Sequence, residues 1–220
     1  MRTANEYEIA IFKKEYCKNG EARISIGKDF EVDVESFEEL LPEKIVSSYA
    51  TGNRDIENSF IMFRVCDVIK DIQYFPVFSE TVGRKMLKSW NKPVPKKQSI
   101  FIEDNNGVGR GNKNNVENSK LRSLILFARS LMILHINDPQ PMNGMLKELY
   151  EKLELHPYWN VRNYEVKAVN TAIGSFLRKD INVQNENFQN LQDYILYLQT
   201  NVTGRRLRNT NFDIFELKNM

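Results

Sequence analysis

The stretch GRKMLKSWNKPVPKK places Arg84, Lys85, Lys88, Lys92, Lys96 and Lys97 around Trp90. Cations beside an aromatic ring suit a phosphate backbone with a stacked base, because phosphates draw the charge and any base offers a ring face. The competing reading is a solvated helix end that runs into a proline-stiffened linker. A second set lies in IEDNNGVGRGNKNNVENSK, where Gly107, Gly109 and Gly111 alternate and Arg110 and Lys113 supply charge. A Walker loop requires Ser or Thr after its lysine, whereas Asn114 follows Lys113. A dinucleotide fingerprint requires a preceding strand, spacing that reaches a third glycine later and an acidic residue about 20 positions on, and the segment does not meet that pattern. The composition instead predicts a mobile segment whose cations close on a phosphate backbone when one is present.

Charge is divided along the chain although the total is only +2. Residues 1–83 carry 10 basic against 16 acidic side chains, residues 84–122 carry 10 against 3, and residues 123–220 carry 11 against 10. The middle of the chain is thus the part suited to a polyanion. Arg122, at its end, and Arg129 lie seven positions apart on one helical face, where they require a carboxylate, a carbonyl or a phosphate. Arg205, Arg206 and Arg208 form a third cluster near the C-terminus, followed by the apolar Phe212, Ile214, Phe215 and Leu217. An apolar terminal arm must dock on its own core or on a neighbour, and exchange between copies predicts a homo-oligomer joined through its arms.

The elements that must position these groups read as mainly α, a helical core in two portions with a small N-terminal antiparallel β-hairpin. Alternation in EYEIAIF, EARISI and FEVDV predicts two or three short strands, with Phe30, Val32 and Val34 inward and Glu31, Asp33 and Glu35 outward. Ser36 caps a predicted helix over SFEELLPEKIVSSYA. Asp55 caps another over IENSFIMFRVCDVIKDIQYF, with Ile61, Val65, Val68 and Ile72 at helical spacing. SETVGRKMLKSW is a shorter helix ended by Pro93 and Pro95. Beyond the glycine-rich segment, helices are expected from residue 121, over MNGMLKELYEKLEL, over VRNYEVKAVNTAIGSFLRKD and over ENFQNLQDYILYLQ. The expected organisation is 1–100 for the hairpin and first helices, 101–120 for the basic Asn/Gly segment, 121–200 for the C-terminal helices, and 201–220 for the arm.

Within the helix after residue 121, Arg129 to His135 (RSLMILH) resembles the Arg-x4–6-His signature of HEPN ribonucleases. The resemblance implies a helical bundle and metal-independent RNA cleavage. His135 would serve acid–base chemistry and Arg129 would stabilise the phosphate, at a site formed by two chains. Ser130 stands where that family prefers Asn, Asp or His.

With 41% hydrophobic and 27% charged residues the chain is globular rather than disordered. Cys17 and Cys66 suggest neither a disulfide framework nor a zinc site, which points to a reducing, cytoplasmic setting. No apolar run is long enough to span a bilayer, so no membrane partner is expected, and no motif calls for a metal or a cofactor. The preferred expectation is a non-catalytic, self-assembling protein that binds single-stranded nucleic acid, RNA above all, in the manner of a viral or phage nucleoprotein. Its contacts would come from Arg84, Lys85, Lys88, Trp90, Lys96, Lys97, Arg110, Lys113, Arg122, Arg129, Arg205, Arg206 and Arg208. Two alternatives stay open: the ribonuclease, and a helical protein–protein interaction module whose basic segment meets an acidic partner.

Overall fold

A computed structural model describes residues 1–40, 45–50, 52, 55–99, 101–102, 125, 141–142, 144–156, 159–162, 164–165, 167–169, 171 and 206–207. The chain divides into two units: Met1–Gln98 with Ile136–Pro141, and Ser99–His135 with Met142–Met220.

The first unit is α+β rather than mainly α. Its sheet has five strands: β1 (Arg2–Thr3), β2 (Glu31–Glu39), β5 (Ser59–Asp67), β6 (Ile72–Tyr74) and β7 (Val77–Ser79). β5 is central. β2 runs antiparallel along one side of it, β6 and β7 share the other, and β1 joins β6 in parallel. A separate two-stranded piece pairs β3 (Val46–Ser47) with β4 (Asp55–Ile56). Among its described residues three helices complete the unit: α1 (Glu6–Tyr16), α2 (Gly20–Asp29) and α3 (Glu80–Ser89).

The expected N-terminal hairpin is overturned by two asparagine caps. The Asn5 side chain accepts from the Glu8 amide at 3.0 Å while Glu8 accepts from the Asn5 amide at 2.8 Å, a reciprocal box that starts α1 where EYEIAIF suggested a strand. Asn19 likewise accepts from the Ala22 amide and starts α2 across EARISI. The apparent alternation arose because Tyr7, Ile11 and Ile24 are apolar yet exposed.

The long helix expected from residue 56 is also overturned. Phe60, Ile61, Met62 and Phe63 are all fully buried, so β5 is covered on both faces and its alternation is hidden by a continuous apolar run. Val68 and Ile69, core positions in the helical reading, sit at the β5–β6 turn, and Ile69 is 97% exposed. The Ser36 helix fails for a related reason. Ser36 to Glu39 continue β2 past an irregularity between Val34 and Ser36, with Phe37 opposite Ile61. Within β2, Val32 is buried and Glu31 and Asp33 are exposed, the Asp33 carboxylate pairing across the sheet with Arg64 at 3.1 Å.

The helices cover the sheet face that carries Ile61, Phe63 and Val65. Phe12 of α1 stacks on Tyr74 at 4.6 Å, Trp90 meets Phe63 edge-on, and the backbone of α3 at Gly83 lies against Ile61.

In the second unit, α4 (Gly144–Leu155) forms where MNGMLKELYEKLEL predicts it and buries Leu149, Tyr150 and Leu153. β8 (Phe101–Ile102) pairs antiparallel with β9 (Arg206–Leu207).

Candidate nucleic-acid interface

α3 forms where its sequence predicts it because one stripe of ETVGRKMLKS is small or apolar. Gly83, Met86 and Leu87 are buried, while Thr81, Arg84, Lys85 and Lys88 are exposed at helical spacing. Asn91, at φ 54°, turns the chain out of the helix, and the segment carrying Pro93 and Pro95 follows. Three of the expected cations therefore share one outward face. Lys85 and Lys88 have no hydrogen bond or ion pair among the described residues, and the same holds for exposed Lys96.

Arg84 and Lys97 are different, since both meet Glu80. Arg84 Nε donates to Glu80 Oε1 at 2.8 Å, and Lys97 Nζ and Ser59 Oγ donate to Oε2 at 3.3 and 2.5 Å. Burial alone pushes the Glu80 carboxyl up, but these three donors outweigh it and hold the group below its ordinary value. The Phe37 ring face lies 5.2 Å from Arg84 Cζ and 5.5 Å from Lys97 Nζ. Beside this cluster opens a polar groove of about 710 Å³, lined on one side by Glu80, Thr81, Arg84 and Lys85 and on the other by residues 55–59. Sequence reasoning missed Glu80, although its place four residues before Arg84 is the spacing of a helical ion pair.

Trp90 is engaged in packing. Its indole Nε1 donates to the Ile24 carbonyl at 2.8 Å, and it lies so close to Gly27 that a Cβ there would stand 2.5 Å from Nε1. Ring and helix thus lock the end of α3 onto α2. A cavity of about 510 Å³ adjoins the indole, lined also by Lys28, Phe30, Asp33 and Lys92. Lys92 Nζ reaches the Val32 carbonyl and lies 3.9 Å from Asp33. Gly27→Ala is expected to cost about 1 kcal/mol, the overpacking outweighing alanine's better helix propensity. Urea unfolding and a red-shifted tryptophan emission would report it.

Arg110, Lys113, Arg122, Arg129, His135, Arg205 and Arg208 lie outside the described residues. Arg206 is placed through its backbone, opposite Ile102 in the β8–β9 pair, next to the start of the Asn/Gly-rich sequence. Among the described residues no cluster of His, Cys, Asp or Glu could hold a metal ion, and no helix is long and apolar enough to cross a membrane. Cys17 is buried, and desolvation pushes its thiol up to about 12.

No protein-family model, no curated protein and no solved structure matches this chain.

Proposed function

We propose that the protein is a non-catalytic binder of single-stranded nucleic acid, with RNA as the favoured ligand, that holds the phosphate backbone on the outer face of α3 and assembles through its terminal arms. The observation that supports this reading is the single helical face bearing Arg84, Lys85 and Lys88, of which Lys85 and Lys88 have no counter-charge among the described residues. Unpaired lysines on a rigid helix are solvated point charges, and each releases condensed counterions when it meets a phosphate. Lys96 extends the set beyond the helix, and the cations at 110, 113, 122, 129, 205, 206 and 208 are the further contacts of the same proposal. Cys17 and Cys66, which form no disulfide, suit a reducing, cytoplasmic setting.

Fluorescence anisotropy with a short labelled oligouridylate, titrated at several salt concentrations, tests the proposal. The wild type is expected to bind with an affinity that falls linearly in log–log form as salt rises. Lys85→Ala combined with Lys88→Ala should weaken binding about tenfold and flatten the slope by about 1.4, two phosphates at roughly 0.7 each. Binding that ignores salt, or that survives the double substitution unchanged, overturns it. Light scattering before and after ribonuclease treatment tests assembly, since particles held by RNA and arms shrink when the RNA is removed.

A further inference from the structure

Glu80 is a carboxylate inside a basic cluster, and its geometry says more than charge cancellation. It takes Arg84 by Nε alone, and among the described residues no hydrogen bond engages the two Nη groups of that guanidinium, whose side chain is 46% exposed. A guanidinium has two bidentate edges, and the Nη1–Nη2 edge suits two oxygens of one phosphate. The carboxylate is itself anchored, because its second oxygen accepts from Ser59 and Lys97. The Phe37 ring lies under the guanidinium. Arg84 is thus fixed at its stem side and open at its outer edge, a long side chain whose rotamer freedom has been removed before any ligand arrives.

We infer that Arg84 seats one phosphodiester of the bound strand through its free Nη edge, with Glu80 as the residue that positions it. This rests on the reading of α3 as a phosphate-binding face and assigns the first bidentate contact on it. Lys88 lies one turn further along the same face, about 6 Å at 1.5 Å per residue, the order of spacing between successive phosphates of an extended strand. Asp55 and Glu57 line the side of the groove that α3 does not supply. They repel a phosphate from the groove floor, so the backbone follows Arg84, Lys85 and Lys88 instead.

The inference makes a prediction whose sign opposes simple electrostatics. Removing a carboxylate beside an anion site should tighten anion binding, whereas removing a positioning group should loosen it. Glu80→Ala does both and is expected to weaken oligouridylate binding. Glu80→Gln removes the same charge but keeps an acceptor for Nε, and is expected to bind about tenfold more tightly than Glu80→Ala. Arg84→Lys keeps the charge and loses the bidentate edge, so affinity should fall about tenfold while the salt slope stays that of the wild type. Anisotropy titrations supply each value, and circular dichroism melts confirm that the exposed Arg84→Lys variant is folded. Tighter binding by Glu80→Ala, or an Arg84→Lys affinity equal to wild type, overturns the seat while leaving the α3 face intact. Failure of the wild type to bind at low salt removes both.

Discussion

Gly83→Val is expected to destabilise the first unit by about 3 kcal/mol, the upper range for forcing extra atoms into a packed core. An added Cβ at Gly83 would stand 2.9 Å from both Cβ and Cδ1 of Ile61, and Ile61 is fully buried on the central strand β5. Ile61 is held from both sides, paired with Phe37 of β2 and with Phe78 of β7, so it has nowhere to retreat. Valine adds two further methyl groups to that clash, and its β-branch forfeits the propensity advantage that alanine would have brought to a helix. The helix must lift from the sheet, and with it go the Trp90 contact and the anchoring of Glu80 by Ser59. Urea unfolding followed by circular dichroism measures the loss, and an unchanged midpoint would show that α3 does not pack as described. Under the proposed function the same variant should also lose oligouridylate affinity without losing a single cation, because the basic face depends on Gly83 holding the helix against β5.

That dependence explains which parts of the molecule were legible in the sequence. α3 and α4 could be read because their buried stripes are interrupted by charged residues, so the 3.6-residue period is visible, and because prolines follow both helices. The sheet could not be read by the same rule. Phe60 to Phe63 are buried on both faces, and a strand without a polar face offers no alternation; the spacing of Ile61, Val65, Val68 and Ile72 then matches a helix by accident. The two N-terminal helices carried legible signals that alternation outweighed, the Asn5 and Glu8 pair of a capping box for α1 and the Asn19 cap for α2. The helix that carries Arg84, Lys85 and Lys88 was legible from SETVGRKMLKSW and the prolines that end it. Trp90 beside them looked like a stacking platform because composition cannot show that Ile24 and Gly27, more than sixty positions earlier, close on its ring. Glu80 shows the converse: its partner at i+4 was readable, but the convergence of Ser59 from the central strand and Lys97 from beyond the helix was not.

The second unit carries its own buried charge, and Glu165→Ala is expected to cost it about 3 kcal/mol. Glu165 has a side chain only 3% exposed. One oxygen accepts from Lys152 Nζ at 3.1 Å, the other from the Arg162 amide at 2.8 Å and the Trp159 indole at 3.4 Å. The amide contact is half of a capping box, starting the helical positions at 164, 165, 167–169 and 171; the lysine contact ties that start to α4. Alanine would remove the shared acceptor of three donors at once, although Lys152, 35% exposed, can recover some of its loss in water. Burial pushes the Glu165 carboxyl up, but the Arg162 amide, Lys152 and Trp159 outweigh it and hold the group below the ordinary carboxylate value. A depressed folded-state value means that the stabilisation is present above the ordinary carboxylate range and is lost as pH falls through the lower, folded value. Amide protection factors across residues 144–165, corrected for the slower intrinsic exchange at low pH, should therefore be high at neutral pH and fall under acid in the wild type. In Glu165→Ala the protection factors should be low at both, and protection that survives the substitution at neutral pH would remove Glu165 as the tie between the two helical segments. Glu165, Lys152 and Arg162 are not among the proposed ligand contacts, so under that proposal oligouridylate affinity at neutral pH should be retained in Glu165→Ala while protection falls, and a parallel loss of affinity would tie this pairing to the ligand contacts proposed for the same unit.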